Sequence, residues 1–464
     1  MVNNNTKRSG ESSSQGAPGT AAKKPSGGQV QVKFITSLDN YRLPETIIYL
    51  PTHLRRYGLS EVVNHLLALE KPVPFDFLIQ GEFIKSSLAH FMNQRDLSTE
   101  SVIEVEYIES TLPPTPLASY KHDDWVSSVK ISDDKLILTG SYDHHVRVWD
   151  QASQCLATLS HHKGAVHAVN WVSSDSGVRI LSASQDQSII GWQQDNDGSY
   201  EPLYVAKGHT KPVLAVQVAP SLSQFASSSA DGMVKVWSIA SIEEDPDNVL
   251  FDPLETMRIS NKKHKGNDAQ KLYKGALLTL DGHFGPVHGL AYDSLDSTRL
   301  FSGGHDHALR VWDVTTATNI LTKTCEKPFL ALSQSTNLLA SGHTDSLIRI
   351  WDPRTSESSV VKLSLAGHSN WVSSVEWQGT NQHRLISASY DGTLRVWDLR
   401  SKTSQFTLLH SDSVELPKYD PRTVSADHPT FQNKVLALGI NGQLMASGGQ
   451  DCHLKLHKVP AESS

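Results

Sequence analysis

The sequence has 464 residues, of which 38% are hydrophobic and 20% are charged, and its formal net charge at pH 7 is −7. This balance argues against a globally basic nucleic-acid-binding protein, and no apolar run approaches the ~18 residues that a membrane helix needs. The three cysteines, Cys155, Cys325 and Cys452, are too widely spaced to indicate a zinc cluster or a disulfide framework.

The N-terminal quarter of the chain divides into a tail and a small domain. Residues 1–28 are polar and rich in Gly and Ser, which predicts a disordered tail and no secretory signal. Residues 29–109 show the order strand (VQVKFI), strand (ETIIYL), helix (GLSEVVNHLLALE), strand (FDFLIQ), short helix (SLAHFMN) and strand (SVIEVEYI). This order predicts a small α+β domain with a ubiquitin-like (β-grasp) fold. The apolar face predicted for the longer helix consists of Val62, Val63, Leu66, Leu67 and Leu69.

Residues 110–464 contain a repeated segment whose first copy is GSYDHHVRVWD, residues 140–150. Seven copies place an Asp six residues before a Trp, or before His457 in the last copy, and the basic period is a little over forty residues. Apolar residues alternate between the Asp and the Trp, which predicts a half-buried strand that follows a tight turn. The pattern resembles the WD40 family, so we expect a mainly β chain with a seven-bladed propeller after the ubiquitin-like domain.

The resemblance to WD40 proteins also implies a structural role for the recurring polar residues. In that family a His, a Ser or Thr two residues before the Asp, the Asp and the Trp form a buried hydrogen-bonded chain, in which the polar groups satisfy one another. Several repeats carry the same His and Asp, which argues against a catalytic dyad. The implied members are His122, Ser141, Asp143, Trp149, His162, Ser184, Asp186, Trp192, His209, Ser229, Asp231, Trp237, His283, Asp306, Trp312, His368, Ser389, Asp391 and Trp397.

Some repeats depart from this pattern. Gly304 replaces the Ser in the fourth repeat, Cys325 and Phe431 occupy the His position in the fifth and seventh repeats, and His457 replaces the last Trp. We therefore expect these blades to depend more on apolar packing than on the polar chain.

Ring closure and two insertions are also predicted. The segment PLASYKHDDWV, which starts at residue 116, aligns with the outer strand of the next repeat, so it is expected to complete blade seven and remove an open sheet edge. Insertions are predicted near residues 239–278 and 402–430. The first contains Lys262, Lys263 and Lys265, a candidate nuclear-localisation signal or RNA-facing patch, but such short basic runs are weak signals and a solvated loop is the favoured interpretation.

A ubiquitin-like domain directly before a WD propeller, together with the stretch RRYGLSEVVNHLLALEKPVPFDFLI, resembles the Ytm-type family of WD-repeat ribosome-biogenesis proteins. The Notchless family has a similar first domain but eight blades. The resemblance to the Ytm-type family implies a non-catalytic assembly factor for the large (60S) ribosomal subunit and pre-rRNA processing, in the nucleolus and nucleoplasm. Its propeller would dock a Bop-type WD-repeat protein and reach Pescadillo through that partner.

The same resemblance implies that residues 29–109 bind midasin, a dynein-related ATPase that pulls assembly factors off the pre-60S particle. Glu100, in DLSTESVIEV, would complete the oxygen shell of a Mg²⁺ ion held by the metal-site domain of midasin. Asp96 is a rival carboxylate in the same loop. The chain itself is expected to bind no metal, no cofactor and no membrane.

Enzyme classes are not indicated, because the sequence has no GxxxxGK[ST], HExxH, GxSxG or CxxC motif. The main alternative is a ubiquitin-system adaptor, whose first domain would recruit a ligase or the proteasome through an apolar sheet patch. Its propeller would then read a substrate peptide or a phosphorylated degron, which needs arginines that converge on one face. The candidates are Arg147, Arg310, Arg349 and Arg395.

Overall fold

The computed structural model describes residues 28–69, 71–98, 101–173, 178–195, 197–240, 249–251, 272–354, 361–379, 383–410 and 433–460. Within these ranges one mixed sheet precedes seven propeller sheets, of which six are wholly antiparallel and the sheet of blade two includes one parallel pair, which confirms the predicted mainly β class. No helix in this part of the chain has the length and apolar character needed to cross a membrane. The predicted tail, apart from Gly28, lies outside the described residues, as do Glu100, Lys262, Lys263, Lys265 and Phe431.

The N-terminal domain, called the module below, has the predicted order of strands and helices. Its elements are β1 (Gln29–Ile35), a 3-10 helix (Asp39–Tyr41), β2 (Ile47–Pro51), α1 (Arg56–Leu67), β3 (Phe75–Ile79), β4 (Glu82–Phe83), α2 (Leu88–Gln94) and β5 (Ile103–Glu109). The sheet order is β2-β1-β5-β3-β4, with β1 and β5 parallel at its centre. Such a central parallel pair needs a crossover, and α1 provides part of it.

The apolar face of α1 differs in part from the prediction. Leu59 and Val63 are fully buried against the sheet, and Val62 and Leu67 pack beside them. Leu66 is 43% exposed, and Ala68, in the left-handed conformation, ends the helix before Leu69. The sequence window was too long, because the stop at Ala68 rotates the following residues off the helical face.

The propeller begins with β6 (Thr115–Lys121), which belongs to the last blade, and its four-stranded blades then follow in chain order. Blades one to three comprise β7 (Val126–Ile131), β8 (Ile137–Ser141), β9 (His145–Trp149) and β10 (Cys155–Ser160); β11 (Val166–Trp171), β12 (Val178–Ser184), β13 (Ser188–Gln194) and β14 (Tyr200–Lys207); and β15 (Val213–Val218), β16 (Gln224–Ser229), β17 (Val234–Ser238) and β20 (Leu278–Leu280). Two further strands, β18 (Val249–Phe251) and β19 (Leu272–Lys274), lie between β17 and β20 in sequence.

Blades four to seven complete the ring. They comprise β21 (Val287–Tyr292), β22 (Arg299–Gly304), β23 (Ala308–Asp313) and β24 (Thr318–Thr324); β25 (Phe329–Gln334), β26 (Leu339–His343), β27 (Ile348–Trp351) and β28 (Val361–Leu365); β29 (Val372–Trp377), β30 (Arg384–Ser389), β31 (Thr393–Asp398) and β32 (Ser404–Leu409); and β33 (Val435–Asn441), β34 (Leu444–Gly449) and β35 (His453–Lys458), with β6 outermost. The first strands of neighbouring blades contact one another around the axis.

The N-terminal strand closes the ring, as predicted. β6 pairs antiparallel with β35 from His453↔Lys121 to Lys458↔Thr115. Tyr120 on β6 is buried, its ring meets that of Trp149 edge-on at 5.4 Å, and its hydroxyl donates to the Asp150 carbonyl at 3.0 Å. A strand from the start of the propeller therefore joins blade seven to blade one and leaves no open edge between them.

The two insertions begin and end differently from the prediction. In the first, β19 pairs parallel to β14 and β18 pairs with β19, so that blade two gains two outer strands, while residue 278 already belongs to blade three. In the second, the predicted start at residue 402 is wrong, because β32 is the fourth strand of blade six and pairs with β31. The sequence could not show this, because a fourth strand carries neither the Asp nor the Trp of the repeat.

Removal of the Tyr120 ring tests the closure. We expect Tyr120→Ala to lower the free energy of unfolding by about 3 kcal/mol, the usual cost of truncating a buried aromatic side chain. Urea unfolding monitored by tryptophan fluorescence measures it. Leu117→Ala, on the same strand but at an exposed position, is the matched control and should change the midpoint little. An equal effect of the two substitutions would contradict a specific role for the Tyr120 contact.

Candidate functional site

Blade three shows how the recurring polar residues meet. The Nδ1 of His209 lies 2.9 Å from Asp231 Oδ2, and its Nε2 lies 2.8 Å from Ser227 Oγ. The indole nitrogen of Trp237 donates to the same Ser227 oxygen at 2.8 Å. Since the carboxylate can only accept, Nδ1–H of His209 donates to it, which leaves Nε2 to accept from the Ser227 hydroxyl. All polar atoms of this chain are thus satisfied inside the blade.

Blades two, four and six repeat this arrangement with nearly the same distances. The serine is four residues before the Asp, so the assignment of Ser184, Ser229 and Ser389 to the chain is wrong. The contacts are His162–Asp186 at 3.1 Å, His162–Ser182 at 2.7 Å and Trp192–Ser182 at 2.8 Å; His283–Asp306 at 2.9 Å, His283–Ser302 at 2.7 Å and Trp312–Ser302 at 2.7 Å; and His368–Asp391 at 2.9 Å, His368–Ser387 at 2.7 Å and Trp397–Ser387 at 2.8 Å.

The serines two residues before the Asp have a different role. Ser229 accepts from the Asp231 backbone N–H at 3.2 Å and donates to the carbonyl of Pro212 at 2.9 Å, so it shapes the turn. Residues two apart on a strand share a face, which is why spacing alone could not separate Ser227 from Ser229. Gly304 does not interrupt blade four, because Ser302 supplies its hydroxyl.

Blade one uses a threonine and leaves its Asp outside the chain. His122 Nε2 lies 2.9 Å from Thr139 Oγ1, and Trp149 donates to that oxygen at 3.0 Å. Asp143 instead accepts from Arg147 at 2.5 Å. Ser141, assigned to this chain from the sequence, accepts from the Asp143 backbone N–H at 3.3 Å, so that assignment is also wrong.

Blades five and seven recruit histidines from unexpected places, so they keep a polar chain where we expected them to depend more on apolar packing. In blade five, His343 on β26 replaces the missing His: its Nε2 lies 2.7 Å from Ser341 Oγ, to which Trp351 donates at 2.7 Å. The sequence signal was present, because a His stands two residues before the fifth Asp.

In blade seven, His410 takes the place assigned to Phe431. Its ring nitrogens lie 3.2 Å from Ser447 Oγ and 3.1 Å from Asp451 Oδ1. His410 directly follows β32 and precedes the undescribed residues 411–432, so its sequence separation from Asp451 hid it. His457, in the Trp position, is buried.

Burial and hydrogen bonds set the charge states of these groups. Burial alone would raise the pKa of Asp231, but His209 and the backbone N–H of Met233 hold that pKa well below its usual range. Burial, with help from Arg147, lowers the pKa of His122 to about 4, and burial with nearby Arg349 does the same for His343. Both imidazoles are neutral at pH 7, and each is bound through Nε2 to a hydroxyl of its own blade, so the arrangement is suited to a scaffold.

The four arginines weighed as a phosphate-reading set are bound within the propeller. Their partners are acidic or hydroxyl side chains near the same blade's turn or outer strand, which leaves no convergent group of unpaired guanidinium groups among them. The contacts are Arg147 with Asp143 at 2.5 Å and Asp123 at 2.7 Å, Arg310 with Thr322 at 3.4 Å and Asp306 at 3.8 Å, Arg349 with Asp345 at 2.6 Å, and Arg395 with Ser404 at 3.0 Å.

Exposed aromatic side chains mark one end of the ring. Trp125 and Trp371 directly precede the first strands of blades one and six, and they are 38% and 45% exposed. Trp125 lies 5.6 Å from Tyr142 and Trp371 stacks at 5.8 Å on Tyr390, ring centroid to ring centroid. Blade seven lies between the two pairs. Exposed Trp and Tyr of this kind are typical of protein-binding surfaces.

The module offers a groove of about 460 Å³ beside the loop that precedes β5. Its wall includes apolar Ile35 and Leu97 and, from β5, the carboxylates Glu104 and Glu106. Asp96 at the end of α2 is exposed, with a left-handed backbone (φ 50°). Glu100 lies outside the described residues. Within the described ranges, His, Cys, Asp and Glu side chains form no group of three or more suited to a metal ion.

Comparisons with known proteins cover both parts of the chain. A family model described as the NLE (NUC135) domain matches residues 30–92, within the module. The model described as WD domain, G-beta repeat matches residues 114–150, 153–193, 200–238, 275–313, 327–352 and 359–398.

Three proteins similar to this chain are described as ribosome biogenesis protein YTM1. The protein from Candida glabrata is 35% identical over 473 residues, which cover 93% of this chain and 97% of that protein. The Schizosaccharomyces pombe protein is 36% identical, with 83% of this chain and 89% of that protein covered. The Saccharomyces cerevisiae protein is 36% identical, with 83% and 90% covered.

The corrected serine assignment can be tested in blade three. Ser227→Ala is expected to destabilise the propeller by about 2 kcal/mol, because it leaves His209 Nε2 and the Trp237 indole N–H without their buried partner. It should also speed hydrogen exchange at that indole. Ser229→Ala is the matched control: the Trp237 indole should stay protected, since its acceptor is still present. Loss of indole protection in Ser229→Ala alone would overturn the assignment.

Buried neutral histidines predict a pH dependence of stability. Burial, with His410 and Lys455 nearby, lowers the pKa of His457 to about 3, whereas the unfolded chain takes up that proton near pH 6.5. Between these values the unfolded state binds more protons, so stability falls as the pH falls, by about 2 kcal/mol from pH 7 to pH 5 for this group. His457→Phe should flatten the dependence of the urea midpoint on pH; His53→Phe, at an exposed site, should not.

Proposed function

Since the chain belongs to the YTM1 family of ribosome biogenesis proteins, we propose that it is a non-catalytic assembly factor of the large (60S) subunit. It acts on pre-60S particles and pre-rRNA processing in the nucleolus and nucleoplasm. The observation that carries this proposal is the similarity across module and propeller together, which covers 93% of the chain. The closed polar chains of the blades support a rigid docking platform rather than a reactive site.

The propeller, in this proposal, binds the propeller of a Bop-type protein and reaches Pescadillo through it. We assign this contact to the ring end that carries Trp125 and Trp371. Both residues begin their blades and therefore share one end of the ring, and both rest on a tyrosine of the same blade. Supported aromatic side chains bury a large area at little entropic cost, which is why they dominate binding energies at interfaces.

Trp371→Ala tests this assignment. The substitution is expected to weaken binding of the full chain to a Bop-type propeller by about 2 kcal/mol, roughly 30-fold in Kd, by calorimetry. Leu295→Ala is the control: Leu295 is 75% exposed and lies between β21 and β22, at the opposite end of the ring. Weaker binding in Leu295→Ala with no change in Trp371→Ala would place the contact on the other end.

The module, in the same proposal, is the part engaged by midasin, with Glu100 as a ligand of the Mg²⁺ ion that midasin holds. Residue 100 lies three positions before Ile103, the first residue of the central strand β5, whose pairing with β1 and β3 sets its position. A carboxylate three residues before such a strand in sequence is suitable for an octahedral ion that accepts few protein ligands. The adjacent groove, with its apolar and acidic wall, offers further contact area.

Binding of the full chain to the isolated metal-site domain of midasin tests this step. By calorimetry, the wild type should bind in the presence of Mg²⁺ and should not bind when the metal is removed by a chelator. Glu100→Ala should bind at least tenfold more weakly than the wild type in Mg²⁺. Asp96→Ala is the matched control in the same loop and should bind like the wild type. Binding that depends on Asp96 but not on Glu100 would move the ligand, and binding indifferent to the metal would reject the mechanism.

The ubiquitin-system adaptor is favoured by one observation only. Ile47 and Tyr49 on the edge strand β2 are 53% and 62% exposed, which forms a small apolar sheet patch. The arginines needed for a phosphodegron are bound within the propeller, which weakens that version. Metal-independent binding of a ubiquitin-system protein through Ile47 and Tyr49 would support it. The role of Lys262, Lys263 and Lys265 in nuclear localisation stays a prediction, because these residues lie outside the described ranges.

A further inference from the structure

Among the described residues, hydrogen bonds join the module and its linker to the β31–β32 turn and the start of β32 in blade six. The backbone N–H of Lys402 in this turn donates to the carbonyl of Gly81 at 3.0 Å. Lys85 Nζ donates to the carbonyl of Ser404 at 3.3 Å. Gln405 Nε2 donates to Thr111 Oγ1, in the linker that follows the module, at 3.0 Å. Three hydrogen bonds therefore join two parts of the chain that lie far apart in sequence.

Both surfaces of this contact are held rigid before they meet. On the module, Gln80 (φ 53°) and Gly81 (φ 78°) form a two-residue hairpin turn between β3 and β4, a conformation that favours glycine. The Gly81 carbonyl is presented at the tip of this hairpin. On blade six, Arg400 donates to the carboxylate of Asp398 at 2.6 Å through Nη2, which braces the turn that carries Lys402.

The linker leaves the module little freedom. Residues 110–114 join β5 to β6, and such a segment spans at most roughly 20 Å. Ser110 is tied to the module by its N–H, which donates to the Pro74 carbonyl at 2.8 Å, and by Arg56, which donates to its hydroxyl at 2.9 Å. The next residue, Thr111, is the acceptor on the blade-six side. Consecutive linker residues are thus bound to different parts of the chain: Ser110 to the module and Thr111 to blade six.

The outer strand of blade six differs from its counterparts. The outer strands β10, β24 and β6 expose most of their residues, as expected for a sheet edge that faces solvent. Five of the six residues of β32 are buried. Its first two residues, Ser404 and Gln405, are among those that contact the module or its linker, so the start of this edge is covered rather than open.

We propose that the β31–β32 turn and the start of β32 are an intramolecular docking site for the β3–β4 hairpin and linker of the module, which fixes the module on blade six instead of leaving it on a tether. This docking site lies on blade six, which supplies the backbone N–H of Lys402 and the Gln405 amide as donors and the Ser404 carbonyl as acceptor. The partner it fits is a hairpin tip that presents a carbonyl, next to one lysine.

This docking also bears on the proposed engagement of the module, and that consequence alone rests on the proposed function. A force applied to an undocked module would reach the propeller only through β6, the strand that closes the ring. A docked module shares the load with blade six. The ring closure would then be protected until the docking contact opens.

Nuclear spin relaxation of the isotopically labelled full chain tests the docking without any partner, so its outcome is independent of the proposed function. In the wild type, module amides should report the same rotational correlation time as propeller amides. In the variant Lys85→Ala/Thr111→Val, two of the three bonds are lost, and the correlation time of the module should shorten. The Lys402 amide should at the same time exchange faster with solvent.

The matched control is Lys71→Ala/Thr46→Val, which changes the same residue types at exposed positions of the module. It should behave like the wild type, and the thermal midpoint of the propeller should be the same in all three proteins. A module that tumbles faster than the propeller in the wild type would overturn the docking. Unchanged tumbling and unchanged Lys402 exchange in Lys85→Ala/Thr111→Val would show that these contacts do not hold it.

Discussion

A buried imidazole bound to a hydroxyl of its own blade is the constraint around which the blades are organised. In four blades, one nitrogen donates to the Asp of the hairpin turn and the other accepts from a hydroxyl that the Trp indole also contacts. These bonds link the segment before the first strand to the second strand, the following turn and the third strand. A buried polar group left alone costs free energy, so the chain forms completely or the blade is destabilised.

The departures from this pattern show that the blade needs the bonds rather than one arrangement of residues. Blade five obtains its imidazole from His343 on its own second strand, and blade seven from His410 at the end of the previous blade. Blade one keeps His122 and Thr139 but transfers its Asp to Arg147. Each solution satisfies the buried hydroxyl, so each blade can contribute a comparably rigid edge to the ring.

A rigid ring keeps its binding surfaces in a fixed arrangement. The aromatic end of the ring, the groove on the module and the contact at blade six are three separate features. With the module docked as proposed, they lie at fixed distances from one another. A protein that must bind one partner and present a second binding domain gains from such fixed geometry, because little conformational freedom is then lost on binding. This is the physical basis on which an assembly factor without catalytic groups can act.

The sequence by itself determined the number of blades, the closure by β6 and the strand order of the module. These follow from local signals: the two-residue alternation of strands, the Asp-to-Trp spacing across one hairpin, and the aligned segment that supplies a first outer strand. The full-length family resemblance could likewise be identified from the sequence, because it rests on motifs that each lie within one stretch of chain.

Only the tertiary structure decided which serine completes each polar chain, since Ser227 and Ser229 share a strand face and differ only in what lies opposite. It also decided that His410 serves Asp451, that β18 and β19 extend blade two, and that Gly81 meets Lys402. Each of these pairs lies far apart in sequence, and its contact depends on how finished elements pack. Periodicity describes one strand or hairpin at a time, so it carries no information on contacts between elements that lie far apart in sequence.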